Sequence, residues 1–196
     1  MVFKREEDME LKNPDIRKLK DIKTVLFNDK IYEPEKEIYY MYRGLKKDGN
    51  LRYDITVIPS LIINEEYIKT KGHFHKQGHP EIYTVLEGEA IFLMQKGIDP
   101  VEDIYIIKAK KGDSAIIPPL YGHITINPSK ETLKMANWVS DDCLADYEPI
   151  ENKKGSAYFY TLNGWIKNNN YKEVPKIREE KPTIDFPRDL GFLDKI

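Results

Sequence analysis

From Glu37 to Val174 the chain is a succession of short apolar runs, and this rhythm constrains its fold more than any other feature. "EIYYMYRGL", "LRYDITVIPS", "EIYTVLEGEAIFLMQKG", "DIYIIKAKKGDSAIIPP", "GHITINPS", "LKMANWVSDD" and "SAYFYTLNGWIKNNNYKEV" are rich in aromatic and β-branched residues and are broken by Gly, Pro, Asn and Asp. Breaks at roughly 8–12-residue intervals predict an all-β barrel or sandwich. The pairs Asp48-Gly49 and Asn163-Gly164 signal hairpins. Before the strands, Asn13 and Pro14 fit the cap and first turn of a short helix in "NPDIRKLKDIK". The 196 residues read as one domain, 1–196, with a barrel core at about 36–180. After Pro175 comes an extended arm whose apolar anchors are Phe186, Leu190 and Phe192.

A formal net charge of −2, with both signs interspersed, gives no field for nucleic acid or an anionic membrane. The charged start "MVFKREEDMELKN" lacks the apolar region of a signal peptide, and no stretch reaches the ~20 apolar residues of a membrane span. A cytoplasmic protein is expected. The single cysteine, Cys143, excludes an intramolecular disulfide and reads as a small buried hydrophobe.

Three of the four histidines fall in "KGHFHKQGHPEIYTVLEG", as His73, His75 and His79. Strand periodicity puts His73 and His75 on one face. If the chain returns as a hairpin, Glu81 comes back beside them, with Tyr83 and Val85 on the same face. Two imidazoles and a carboxylate make a site for one divalent transition metal, and His123 supplies a fourth ligand. His79, before Pro80, reads as a solvent-facing loop residue.

These residues resemble the two motifs of the cupin family, whose fold is a double-stranded β-helix (jelly-roll) barrel. The first appears as His73-Phe74-His75, then Glu81 and Gly88; the second as Gly112, Pro118, His123 and Asn127, with Leu120 where the motif has glycine. Within that family "TKGHFH", "E-x-Y", "PP-x-x-x-H", "TVIP" and a late "DY" resemble the cupin-type glucose-6-phosphate isomerases. The resemblance implies aldose–ketose isomerisation, interconverting glucose 6-phosphate and fructose 6-phosphate. It implies a metal on His73, His75, Glu81 and His123, with iron(II) first among Fe, Ni, Mn, Co and Zn. It implies Glu81, Tyr83 and Tyr147 as catalytic residues. The substrate and its phosphate would be held by Thr56, Thr70, the amide of Gly72, Tyr83 and Tyr147. Strict alternation would instead put Lys71 on the face of His73 and His75. Ala145 stands where the resembling proteins carry a His before "DY". Other cupins using the same cage would be a non-haem iron dioxygenase or a sugar-binding protein without turnover. A homodimer is expected, joined through the N-terminal segment or the C-terminal arm.

Overall fold

The computed structural model describes residues 11–183, 186–187 and 189–194. Its strands are β1 (Asp15–Lys18), β2 (Glu37–Asp48), β3 (Leu51–Ile58), β4 (Ile62–Ile63), β5 (Glu66–Tyr67), β6 (Phe74–His75), β7 (Glu81–Glu87) and β8 (Glu89–Lys96). They continue as β9 (Asp103–Lys110), β10 (Ser114–Ile117), β11 (Tyr121–Ile126), β12 (Leu133–Ser140), β13 (Ala145–Asp146), β14 (Tyr158–Thr161), β15 (Gly164–Lys167) and β16 (Arg178–Glu180). Two short helices, α1 (Leu19–Ile22) and α2 (Glu148–Asn152), complete the elements used below. No described helix is long and apolar enough to cross a membrane.

A six-stranded sheet, β1-β2-β3-β12-β7-β10, faces a four-stranded sheet, β11-β8-β9-β16. All the pairings are antiparallel except β16 on β9. This is an all-β barrel, as the strand rhythm predicts, in the jelly-roll form that the family resemblance implies. Both hairpin signals hold, with Asp48 opposite Leu51 and Thr161 opposite Gly164. Gly49 and Gly164 take φ of +57° and +93°, where a side chain would be strained.

Every second residue of each strand points into the barrel. At one end these residues are apolar: Ile58, Val85, Phe92, Met94, Ile107 and Leu133 form a buried core. At the other end the same strands turn polar, and the inward positions line a cavity. The order reads Tyr39-Met41-Arg43 on β2, Arg52-Asp54-Thr56 on β3, Glu81-Tyr83 on β7 and Met135-Asn137-Val139 on β12. Register aligns them across the sheet, so that Asn137 lies opposite both Asp54 and Tyr83.

The helix expected from Asn13 starts later. Asn13 has φ +52°, Asp15–Lys18 pairs with β2, and α1 begins at Leu19. Backbone pairing with a neighbouring strand overrides the local helix signal here. The arm packs in part on its own barrel. Leu190, Phe192 and the fully buried Leu193 pack with Leu51, Ile82 and Trp138 of the chain's own barrel, while Phe186 is exposed.

A buried ion pair ties the segment after α1 to the barrel. Lys69 contacts Glu66 and donates to the Val25 carbonyl at 2.8 Å, and Glu66 accepts the Phe27 N–H at 2.8 Å. Both side chains are at most 3% exposed. Removing one partner of such a pair strands the other charge, at a cost of about 3–5 kcal/mol. Lys69→Met should lose that much in denaturant unfolding. Adding Glu66→Gln, which still accepts the Phe27 N–H, should restore most of it. A double variant no more stable than the single would assign the loss to packing instead.

Candidate metal centre and its cavity

His73, His75, Glu81 and His123 each offer one ligand atom, and these atoms all lie within 4.8 Å of one another. The imidazole centroids are 4.5 Å apart for His73–His123 and 5.2 Å apart for His73–His75 and His75–His123. The four residues expected from the motifs therefore meet, but not through a hairpin of β6 and β7. His73 bridges His123 of β11, β6 pairs with β13, and Glu81 stands on β7 in the opposite sheet. The cluster closes across the barrel interior, where two facing sheets present their inward residues.

Two of the four residues, His75 and Glu81, are oriented from behind. His75 Nδ1 donates to the His79 carbonyl at 2.6 Å, a bond that leaves Nε2 facing the cluster. Glu81 Oε1 accepts from Asn137 Nδ2 at 2.6 Å. The other oxygen, Oε2, is buried without a hydrogen-bond donor, 3.2 Å from His123 Nε2 and 3.4 Å from His75 Nε2. A buried carboxylate oxygen facing imidazole nitrogens needs a positive partner, a role that a protonated imidazole or a bound metal ion can fill. Three nitrogens and one oxygen, closely spaced on a rigid wall, fit a divalent transition metal that keeps open positions.

Charge supports the same assignment. Burial would raise the Glu81 carboxyl, but His123 and His75 beside it hold it well below the usual range, as an anion. Burial, with His123 and His75 nearby, depresses His73 far below the ordinary histidine value. Burial also lowers His123. His75 departs from this pattern: burial opposes its charge, but Cys143 and Glu81 beside it raise it to about 10. Tyr83, buried beside Glu81, is raised well above the ordinary phenol value and stays protonated.

The cavity above the cluster has a volume of about 260 Å³ and holds Thr56, Thr70, Gly72, Tyr83 and Tyr147 in its wall. All the site residues taken from the sequence thus share one chamber. Lys71 lines it too. Gly72, at φ +81°, breaks the alternation that would have separated Thr70 from Lys71, and a Cβ there would meet Ile124 Cγ1 at 2.4 Å. Ala145 lies opposite His75 in the β13–β6 pair, so the wall carries a methyl at that point.

One expectation is corrected. His79 is 5% exposed, not solvent-facing. A turn closed by Gly78 N–H on the His75 carbonyl, with Gly78 at φ +71°, folds the loop inward so that the His79 carbonyl reaches His75. Cys143 is buried, as expected, and stands beside His75 in the cavity wall. Sequence reasoning missed Asn137, Asp54, Tyr39, Arg43 and Arg52. A lone Asn in "LKMANWVS" and an Asp in "LRYDITVIPS" are polar residues inside apolar strand runs, a signal that could have marked two of them.

The family model for glucose-6-phosphate isomerase matches residues 9–176. Over 160 residues the chain is 29% identical to glucose-6-phosphate isomerase of Pyrococcus furiosus, covering 78% of this chain and 83% of that one. Over 168 residues it is 27% identical to glucose-6-phosphate isomerase of Thermococcus kodakarensis, covering 81% and 87%. A solved oxalate oxidase aligns with 52% of this chain and 47% of its own at 18% identity and a TM-score of 0.43, a likeness too partial to carry an argument.

Elemental analysis of protein prepared without chelator should find one divalent metal per chain, absent from His73→Ala. Because the His75 proton must leave for Nε2 to ligate, uptake should release about one proton near neutral pH. Affinity should then rise about tenfold per pH unit up to about 10. Competition titrations at several pH values check this. A flat profile would mean that His75 is neutral before metal arrives.

Proposed function

We propose, from the premise that this chain belongs to the glucose-6-phosphate isomerase family, that it interconverts glucose 6-phosphate and fructose 6-phosphate at a divalent metal held by His73, His75, Glu81 and His123. The observation that carries this reading is that one cavity holds both the four convergent ligands and Thr56, Thr70, Gly72, Tyr83 and Tyr147. When bound, the metal supplies Lewis-acid polarisation of the sugar oxygens. Iron(II) is our first assignment, ahead of Ni, Mn, Co and Zn, all of which suit three imidazoles and a carboxylate.

Isomerisation moves a proton between C1 and C2 of the open-chain sugar. Glu81 is an anion at neutral pH and is the carboxylate at the cavity floor, so it takes the proton from one carbon and returns it to the other. Asn137 Nδ2 donates to Oε1 and so fixes the carboxylate plane beside the cluster. Tyr83 keeps its proton, and its hydroxyl lies 3.4 Å from His123 Nε2, within reach of a substrate oxygen beside the cluster. Thr70 accepts the Thr125 N–H at 3.0 Å, which frees its own O–H to donate toward the phosphate end with Thr56, the Gly72 amide and Tyr147. Ala145 supplies no imidazole, so opening of the sugar ring passes to solvent water or to a hydroxyl of the wall. A cytoplasmic location follows from this reading, since phosphorylated hexoses are charged metabolites of the cell interior. We also assign a homodimer, on the ground that β1 is an edge strand carrying Ile16, 40% exposed; a monomer mass in light scattering at micromolar concentration would count against it.

Purified protein with added divalent metal should convert fructose 6-phosphate to glucose 6-phosphate. Glu81→Gln should keep metal when metal is in excess yet lose about 10²–10⁴-fold in kcat. His73→Ala should lose metal and activity together. Oxygen consumption without isomerisation would point to an oxygenase, and sugar phosphate binding without turnover to a sensor. A fully loaded Glu81→Gln that turns over at the wild-type rate would remove Glu81 as the base.

A further inference from the structure

We propose that Arg17 is a positioning residue for the anionic end of the substrate. It presents the Tyr147 hydroxyl, with Tyr39 beside it, as a hydrogen-bond donor and places behind both a positive charge that is in contact with no carboxylate among the described residues. This rests on the reading of the cavity as a phosphosugar site.

Arg17 lies on β1 directly opposite Tyr39 of β2, which puts its side chain on the cavity side of the sheet. Its Nη2 donates to Tyr147 Oη at 3.3 Å, and its Cζ lies 5.6 Å from the centre of that ring. Its Nε is buried and has no partner. The other cations of the cavity are already paired. Arg43 meets Asp15 and Asp54, Arg52 meets Asp54, and Lys71 meets Glu151 at 2.6 Å. Among the described residues, Arg17 has no carboxylate partner. Asp21 acts on Arg17 without a direct contact, so a half-buried guanidinium with an idle N–H and no paired carboxylate among the described residues is further balanced when an anion arrives nearby.

The hydroxyls in front of it are set to receive one. Tyr147 Oη accepts from Arg17, Tyr39 Oη accepts the Lys71 N–H at 3.2 Å, and Thr70 Oγ1 accepts the Thr125 N–H at 3.0 Å. Each oxygen is engaged from behind, so each proton is free to point forward. Three forward-facing donors suit a group that only accepts hydrogen bonds, and a phosphate is such a group, whereas a sugar hydroxyl also needs an acceptor. Tyr39 and Tyr147 line the cavity and Arg17 does not, so Arg17 acts through them.

The test compares wild type, Arg17→Met and Arg17→Lys, all metal-loaded. It uses inorganic phosphate as probe in calorimetry and fructose 6-phosphate as substrate. Arg17→Met should weaken phosphate binding and raise KM by about tenfold each, the scale of one charge-assisted hydrogen bond. Its kcat and metal content should stay within about threefold of wild type. Arg17→Lys should recover part of the loss. In the Arg17→Met background, Tyr147→Phe should cost less than it does alone, because the two act as one unit. Phosphate affinity and KM within twofold of wild type in Arg17→Met would overturn the proposal. So would a wild type that does not bind phosphate, or a kcat and metal content that fall along with KM, since those mark a structural role. Should Arg17→Met prove unstable, Arg17→Lys decides by the same split of KM from kcat. If wild type shows no isomerase activity, the phosphosugar reading fails, and the three phosphate affinities still decide the role of Arg17.

Discussion

A carboxylate placed inside a β-barrel has to be compensated, and the Glu81 carboxylate organises the polar half of this one. It is 3% exposed, and no water shell can screen it. Asn137 satisfies one oxygen, while the other faces His75 and His123. These partners come from β6, β11 and β12, so the charge on β7 can be balanced only when both sheets are in place. The cluster is therefore a product of the closed barrel and not of either motif alone.

The division of the barrel interior follows from the same constraint. Inward residues near Ile58, Val85, Phe92 and Leu133 exclude water, and those near Asp54, Glu81 and Asn137 require it or a ligand. One strand supplies both, because its inward face runs from apolar to polar along its length. A bulge between Tyr42 and Lys46 marks the polar end of β2, where the Gly44 N–H donates to Asp54 at 2.7 Å. That carboxylate in turn holds Arg52 and Arg43 at the cavity wall.

Backbone strain accompanies the site. Leu120, which stands where the second motif has glycine, keeps the left-handed conformation at φ +67° despite its side chain. Such a placement costs a non-glycine residue roughly 1–2 kcal/mol. Leu120 packs over Gly78 in the turn that brings the His79 carbonyl to His75, and β11 with His123 begins immediately after it. The strained residue thus sits between two elements that orient residues of the His/Glu cluster.

The amino-acid sequence by itself determined the all-β class, because turn residues recur too often for long helices. It also determined the inward face of β7, because alternation is local. The four residues that converge could be picked out for a related reason: His73, His75 and Glu81 are close in the chain, and His123 sits in a recognisable second motif. Which strands face one another was decided only by tertiary structure. β6 pairs with β13 and not with β7, and Glu81 reaches the histidines across the barrel. Burial of His79, the place of Cys143 beside His75 and the approach of Arg17 to Tyr147, 130 positions away, depend on the same closure. Periodicity fixes the side of a strand on which a residue lies, but partners distant in the chain are chosen by how two sheets pack, and that choice leaves no local trace.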